Sequence, residues 1–226
     1  MKMIKTFFGL VLIVTYLLST SVASAADNAL PESYEGLVLK HFDDIDYVYT
    51  KPDIDVNLYD SIMIVRGEVR FKENWKRDFE RGSRTRVRDE DILRIKGKVA
   101  DILDEAFKET FRQDDVMKLV EQPSESTLIL RASIINLDVN APDLRSSMRT
   151  SRYVHSAGEA TLYLEIFDSV SGDLLARVID HKQARDHSYL SLANSVNNAA
   201  DARRGFEEWA KRLQAQFMKV KTLNER

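Results

Sequence analysis

The residues of this chain that could do acid–base or metal chemistry are two dipeptides, Asp180-His181 and Asp186-His187. A carboxylate can orient an imidazole, so two such pairs could bind a metal ion or run general acid–base catalysis. No stronger catalytic pattern is present, because the chain lacks cysteine and has neither a G-x-S-x-G nor an S-x-x-K motif. Its eight glycines form no phosphate-binding loop. We therefore favour a protein that is not an enzyme and expect no catalytic residue, metal or cofactor.

Two arginine-rich segments are better candidates for a functional site, as partner-binding loops. One lies in a charged loop over residues 72–88 and the other in a polar loop over residues 140–156. The six arginines concerned are Arg84, Arg86, Arg88, Arg145, Arg149 and Arg152. If both loops lie at one end of the sheet, their guanidinium groups could contact an anionic partner. The alternative is that both loops are simply solvated.

The first 25 residues have the three parts of a secretory signal peptide. Lys2 and Lys5 precede an apolar run over residues 7–18, and Ala23-Ser24-Ala25 then supplies an A-x-A cleavage site. We expect cleavage between Ala25 and Ala26 and delivery to the periplasm or the exterior. The apolar run is short for a membrane span. We therefore expect no stable membrane anchor after cleavage.

Charge and composition indicate a globular protein and exclude one class of partner. The chain has 33 basic and 36 acidic residues, a net charge of −3, and 44% hydrophobic residues. This composition is typical of a globular domain and not of a disordered chain. The mild net acidity gives no general attraction to nucleic acid, so we expect no nucleic-acid partner.

Hydrophobic periodicity places the secondary structure. Apolar residues at three- and four-residue steps predict helices over 89–111 and 201–220, and the second helix should bury Trp209 against a sheet. Extended patterns predict long strands over 60–71, 127–139, 158–168 and 174–183 and a short one over 116–120. The five-residue link after Asp168 predicts an antiparallel hairpin.

These elements predict an α+β fold, a mainly antiparallel sheet of about five strands with two helices packed on one face. The expected organisation is a signal peptide over 1–25, an extended N-terminal arm over 26–58, a single α+β domain over 59–222 and a tail over 223–226. Aromatic residues in the acidic stretch 41–49 suggest that the arm docks on the domain.

Three stretches carry a resemblance to a known family. Residues 158–176 read GEATLYLEIFDSVSGDLLA, residues 59–64 read YDSIMI, and Trp209-Ala210 lie in the last predicted helix. They resemble a bacterial envelope family, the domain-of-unknown-function 3313 family, which shares a G-x-A…E…D-S-x-(S/T)-G-(D/E)-x-L-A hairpin. The resemblance implies an envelope protein of unassigned role. Most members are lipoproteins, and this chain lacks the cysteine that carries their lipid.

The sequence therefore favours a secreted, non-catalytic binding or accessory module of the bacterial envelope. Its partner would be another envelope protein or an anionic envelope surface, and the sequence leaves the oligomeric state open. The alternative is a periplasmic hydrolase or metal-binding protein that uses His181, His187 and nearby acids.

Overall fold

The strands form one large sheet and one small sheet in the computed structural model of this protein. The structure describes residues 31–224 except 43, 82–85, 140–151, 155–157, 184–190 and 194. Within these residues the strands are β1 (Ser33–Tyr34), β2 (Leu37–Phe42), β3 (Ile45–Thr50), β4 (Ser61–Phe71), β5 (Lys118–Leu119), β6 (Thr127–Val139), β7 (Arg152–Val154), β8 (Gly158–Asp168), β9 (Leu174–Gln183) and β10 (Ser191–Ala193). β7 pairs with β10 in the small sheet, and the other eight strands form the large one.

The described residues also form three α-helices, which are α1 (Trp75–Arg81), α2 (Asp89–Arg112) and α3 (Ser195–Asn224). A short 3-10 turn spans Val56–Leu58. α2 begins where predicted, because the Asp91 carboxylate accepts a hydrogen bond from the backbone N–H of Arg88, at 3.2 Å. Three acidic residues in its first turn also suit the positive end of the helix dipole.

The large sheet is mixed. Its strand order is β1-β2-β3-β9-β8-β6-β4-β5. β4 pairs in parallel with both β5 and β6, whereas the remaining neighbours are antiparallel. Two helices separate β4 from β6 along the chain, so the chain returns to the same end of the sheet and enters β6 in the direction of β4.

The predicted sheet of about five mainly antiparallel strands with two helices is wrong, although the fold is α+β. The segment 33–50, expected to be an arm, supplies β1, β2 and β3. Two of these strands cover six residues each, and their alternation is masked by acidic residues and by a register shift between Lys40 and Phe42. α1 was missed because its apolar surface comes only from Trp75 and Phe79 among charged neighbours.

The hydrophobic core lies between the large sheet and the two long helices. Side chains from the centre of the sheet, including Leu130, Ile134 and Leu164, are at most 1% exposed. Phe107 of α2 and Trp209 of α3 pack in the same cluster. Trp209 is 4% exposed, so the predicted burial of this side chain is confirmed. α3 begins at Ser195, six residues before the predicted start at Asp201.

The predicted hairpin of β8 and β9 is confirmed as an antiparallel pair. In the turn, one carboxylate oxygen of Asp168 accepts the backbone N–H groups of Val170 and Ser171, at 2.9 and 2.7 Å. Gly172 has φ of 74°, a conformation that glycine adopts without strain. The hydroxyl of Ser169 donates to the carbonyl oxygen of Ser124, at 2.7 Å.

Candidate functional site

The face of the sheet that points away from α2 and α3 carries an unusual row of charged and aromatic side chains. Side chains alternate between faces along a strand, and residues paired in register stand side by side. Arg131 of β6 pairs with Glu165 of β8, which pairs with Arg177 of β9, which pairs with Tyr49 of β3. No helix of the described residues covers this surface, which we call the open face.

Ion pairs connect the row. Arg131 Nη2 lies 2.6 Å from Glu165 Oε2, and Arg177 Nη2 lies 3.2 Å from Glu165 Oε1. Arg177 Nη2 also lies 2.6 Å from an oxygen of Glu35, in the turn between β1 and β2. Arg177 is only 6% exposed and Glu165 is 9% exposed. Burial disfavours the charge of Arg177, but hydrogen bonds to Glu35 and Glu165 outweigh that effect and raise its pKa.

Aromatic rings surround the two guanidinium groups. The central guanidinium carbon of Arg177 lies 5.1 Å from the ring centroid of Tyr34 and 5.3 Å from that of Tyr163. That of Arg131 lies 4.9 Å from the ring centroid of Phe167. These distances suit cation–π attraction, which is strongest where water is excluded. The Nε and Nη1 atoms of Arg177 are buried and have no hydrogen-bond partner among the described residues.

The turn between β1 and β2 closes over Arg177. Glu35 and Gly36 have φ of 53° and 79°, the left-handed pair of a type I′ hairpin turn. A glutamate rarely adopts this conformation. Its side chain forms the ion pair with Arg177 from this position. The hydroxyl of buried Tyr49 also donates to the carbonyl oxygen of Pro31, at 2.9 Å, so this end of the segment is held against the sheet.

The open face remains accessible beside this turn. Tyr34 and Tyr47 are 50% and 37% exposed, and the side chain of Arg131 is 47% exposed. Tyrosine and arginine are enriched where proteins bind one another, because they combine large contact area with polar groups. The arrangement can therefore contact a partner, but it holds no nucleophile–base pair.

The histidine-based alternative receives no support from the described residues. Asp180 and His181 are adjacent in β9 and point to opposite faces of the sheet, so they do not form a carboxylate–imidazole pair. Asp180 accepts the indole N–H of Trp209 at 2.6 Å in the core. His181 lies 3.9 Å from Glu159, whose pKa is lowered mainly by its hydrogen bond from Lys72.

The other half of that alternative, Asp186 and His187, lies outside the described residues. Within the described part of the chain, no three His, Asp or Glu side chains converge as a metal site would need. In the same part, no helix combines the length and hydrophobicity of a membrane span.

The arginine-rich loops are only partly described. Arg84, Arg145 and Arg149 lie outside the described residues, and Arg152 begins β7. Arg86 pairs with Glu80 at 3.2 Å. Arg88 directly precedes α2. Their predicted role in binding a partner stays a prediction, as does signal cleavage between Ala25 and Ala26, which lie in the undescribed segment 1–30.

The described flanks of the two loops do lie at one end of the sheet. The indole N–H of Trp75 in α1 donates to the carbonyl oxygen of Val139, at 3.2 Å. Val139 ends β6 and pairs with Gly158, which begins β8. The chain thus leaves and rejoins the sheet for the second loop beside α1, which lies within the segment predicted as the first loop.

Sequence reasoning missed the open face. Arg131, Glu165 and Arg177 each lie in a predicted strand, whereas all six predicted partner-binding arginines belong to loops. The confirmed hairpin contained a partial signal, because alternation along β8 and β9 puts Glu165 and Arg177 on the face opposite the core residues. A register shift between Ile166 and Phe167 then decides that the two stand side by side. Glu35 could not have been found in this way, since its segment was not predicted to join the sheet.

Comparison with known proteins gives the family and a distant likeness of fold. The family model described as Protein of unknown function (DUF3313) matches residues 26–213. Among curated proteins, none matches this chain.

Solved structures similar to this chain include the following three. A DUF330 protein from Xanthomonas campestris is 9% identical, with a TM-score of 0.44, covering 74% of this chain and 88% of that one. The PelC dodecamer from Paraburkholderia phytofirmans is 9% identical, with a TM-score of 0.33 and coverages of 70% and 89%. A hypothetical protein from Chlamydia trachomatis is 10% identical, with a TM-score of 0.37 and coverages of 70% and 98%. Because the likeness is this distant, the dodecameric assembly is a property of PelC alone and is not assigned to this chain.

Proposed function

We propose that this protein is a non-catalytic binding module of the bacterial cell envelope. The chain belongs to the family described as Protein of unknown function (DUF3313). The proposed partner is another envelope protein that docks on the open face. One observation carries this proposal, namely the row of arginine and aromatic side chains on a sheet surface that no described helix covers.

The charge of the row argues for a protein partner over an anionic surface. Arg131 and Arg177 are balanced by Glu165 and Glu35, so the four side chains sum to zero charge. A balanced row has little long-range attraction for a polyanion. Exposed tyrosines and a partly exposed arginine instead supply the short-range contacts typical of protein interfaces.

The envelope location rests on the N-terminal sequence, whose basic start, apolar run and A-x-A triplet are those of an exported protein. Mass spectrometry of the chain recovered from a periplasmic fraction should find Ala26 at the amino terminus. A chain that keeps Met1 and stays in the cytoplasm would contradict this part of the proposal.

Site-specific photo-crosslinking in intact cells tests the docking surface. A photoreactive amino acid replacing Tyr47, which is 37% exposed on the open face, should give one discrete adduct with an envelope protein. The matched position is Leu93, which is 69% exposed on α2 and should give no such adduct. Adding Arg131→Gln should weaken the adduct from position 47. Equal adducts from both positions, or none from position 47, would refute docking on the open face.

A further inference from the structure

A cavity of about 100 Å³ lies on the core side of the sheet, between β3, β9 and the C-terminal half of α3. Val48, Ala176 and Val178 line it on the sheet, and Leu213 and Phe217 line it on α3. None of the described residues that line it is charged. Its walls are almost entirely hydrocarbon, so the cavity favours an uncharged, apolar occupant.

The size of the cavity sets the size of that occupant. An apolar cavity of about 150 Å³ in another protein binds one benzene molecule, so a volume of about 100 Å³ corresponds to about four carbon atoms. Protein interiors contain few voids larger than a water molecule, and the atoms that line a void lose van der Waals contacts. A short aliphatic chain in the cavity would restore those contacts.

The cavity can be reached from solvent. The residues that line it on the sheet are buried, since Val48, Ala176 and Val178 are at most 8% exposed. Ile45 and Ile54, which also line it, are partly exposed, so the cavity is open beside them. A ligand can therefore enter without separating the helices from the sheet.

One buried acceptor belongs to the lining. Gln216 of α3 lines the cavity, and its Oε1 atom is buried with no hydrogen-bond partner among the described residues. A buried acceptor left unpaired is costly, so an occupant that donates an O–H or N–H group is favoured over a plain hydrocarbon. Thr50 is the other polar residue in the described lining, whereas a buried water molecule makes about two to four hydrogen bonds. Water alone is therefore a poor occupant.

We propose that this cavity binds the short aliphatic chain of an uncharged molecule whose hydroxyl or amide N–H group donates to Gln216 Oε1. The aliphatic chain fills the space between the sheet and α3. This site is separate from the open face, because Ala176 and Val178 point to the side of the sheet opposite Arg177. Either assignment can fail without the other.

The test compares two isomers, titrated into the full chain and followed by NMR. 1-Butanol and methyl propyl ether contain the same atoms, but only the alcohol can donate a hydrogen bond. 1-Butanol should bind saturably and about fivefold more tightly than the ether, as expected for one hydrogen bond. From ethanol to 1-butanol, each added methylene should tighten binding about fourfold. An ether that binds as tightly as the alcohol, or no saturable binding, would overturn the proposal.

Charged probes of the same chain length test the neutrality of the ligand. Butylammonium and butyrate should both bind more weakly than 1-butanol, because a charge that enters the cavity loses water and meets no charged partner there. Tighter binding of either ion would overturn the assignment of an uncharged ligand.

Two variants separate the walls from the acceptor. Ala176→Leu places extra carbon atoms inside the cavity and should abolish binding of both the alcohol and the ether. Gln216→Met removes the acceptor and keeps an unbranched side chain, so 1-butanol should then bind only as tightly as the ether. The matched control is Gln113→Met, at an exposed position directly after α2, which should keep the preference for the alcohol. Full binding by Ala176→Leu, or an unchanged preference in Gln216→Met, would overturn the assignment.

The wild-type chain gives an independent check should Ala176→Leu fail to fold. Saturating 1-butanol should shift the resonances of Phe217 and Val178, which line the cavity. It should not shift those of Trp75 and Phe79, which lie in a separate cluster. Shifts confined to the Trp75 cluster, or spread evenly over the surface, would contradict the cavity as the binding site.

Discussion

At the residue scale, Tyr59 makes one of the hydrogen bonds that hold the start of β4. The residue is 7% exposed and its hydroxyl donates to Asp168 at the end of β8, at 2.9 Å. Burial, followed by the hydrogen bond to the Asp168 carboxylate, raises the pKa of Tyr59 to about 12. The pKa of Asp168 is lowered, first by the backbone N–H of Ser171 and also by Tyr59.

The raised pKa predicts a loss of stability in alkali. A tyrosine whose pKa is about 10 unfolded and about 12 folded contributes fully below pH 10, and the contribution disappears as the pH rises towards 12. The free energy of unfolding, measured by urea titration, should therefore fall across this window. It should fall less steeply in Tyr59→Phe, whereas buried Tyr49 and half-buried Tyr163, whose pKa values are also raised, keep a residual slope. Equal slopes in both proteins would contradict the assignment.

For single residues, the sequence predicted burial that follows from hydrophobic periodicity and missed burial that depends on contacts between distant segments. Trp209 was predicted to be buried because it shares a helical stripe with other apolar residues. Arg177 was not, because its burial depends on Glu165 across the hairpin and on Glu35, which is 142 positions away along the chain. No local pattern records that a distant carboxylate will neutralise a strand arginine.

At the element scale, the parallel contact of β4 with β6 depends on one glycine. A Cβ atom at Gly67 would lie 1.8 Å from the carbonyl oxygen of Ala132 and 2.6 Å from the hydroxyl oxygen of Ser133. The register of the two strands shifts between Arg66 and Val69, and the backbone N–H of Glu68 there donates to the Ser133 hydroxyl. The backbones approach more closely here than any side chain allows.

Two glycine-to-alanine substitutions should therefore have opposite effects. Gly67→Ala should destabilise the protein by about 1–3 kcal/mol, because backbone atoms must move to admit the methyl group. Gly97→Ala, within α2, should stabilise it by about 1 kcal/mol, since no atom lies within 4 Å of the added carbon and alanine favours the helix. Urea-induced unfolding of both variants provides the measurement. A neutral Gly67→Ala would mean that the two strands separate at little cost.

The long elements were predictable, whereas most short ones were not; β5 is the exception, since it lies within the strand predicted over residues 116–120. α2 and the hairpin of β8 and β9 contain enough regularly spaced apolar residues for the pattern to be distinguished from a chance arrangement. β1 and β5 are two residues long and exist only because a longer neighbour accepts their hydrogen bonds. The prediction of the open face was affected most, because the segment that forms β1 and the β1–β2 turn supplies Tyr34 and Glu35.

At the scale of the whole molecule, α3 joins parts of the chain that are far apart in sequence. Its Trp209 bonds to β9, and Gln214 Nε2 donates to Asp114 Oδ2 beyond α2, at 2.9 Å. Arg212 and Lys221 bind the carbonyl oxygens of Asp44 and Tyr59. One helix thus holds the edge of the sheet, its centre and the end of α2 in a single arrangement.

Truncation of α3 should show that its last turns belong to the cooperative unit. A chain ending at Leu213 loses buried Phe217 and the bonds from Gln214 and Lys221, whereas a chain ending at Lys221 keeps all three. The chain ending at Leu213 should lose on the order of 5 kcal/mol of its free energy of unfolding, because deleting one buried aromatic side chain alone costs about 3–5 kcal/mol. That loss is a large share of the roughly 5–15 kcal/mol that stabilise a typical protein, so calorimetry should show a much lower or broadened transition. The chain ending at Lys221 should melt with the full-length protein. If the chain ending at Leu213 also does so, the last turns of α3 lie outside the cooperative core, and full-length Phe217→Ala should then be equally stable.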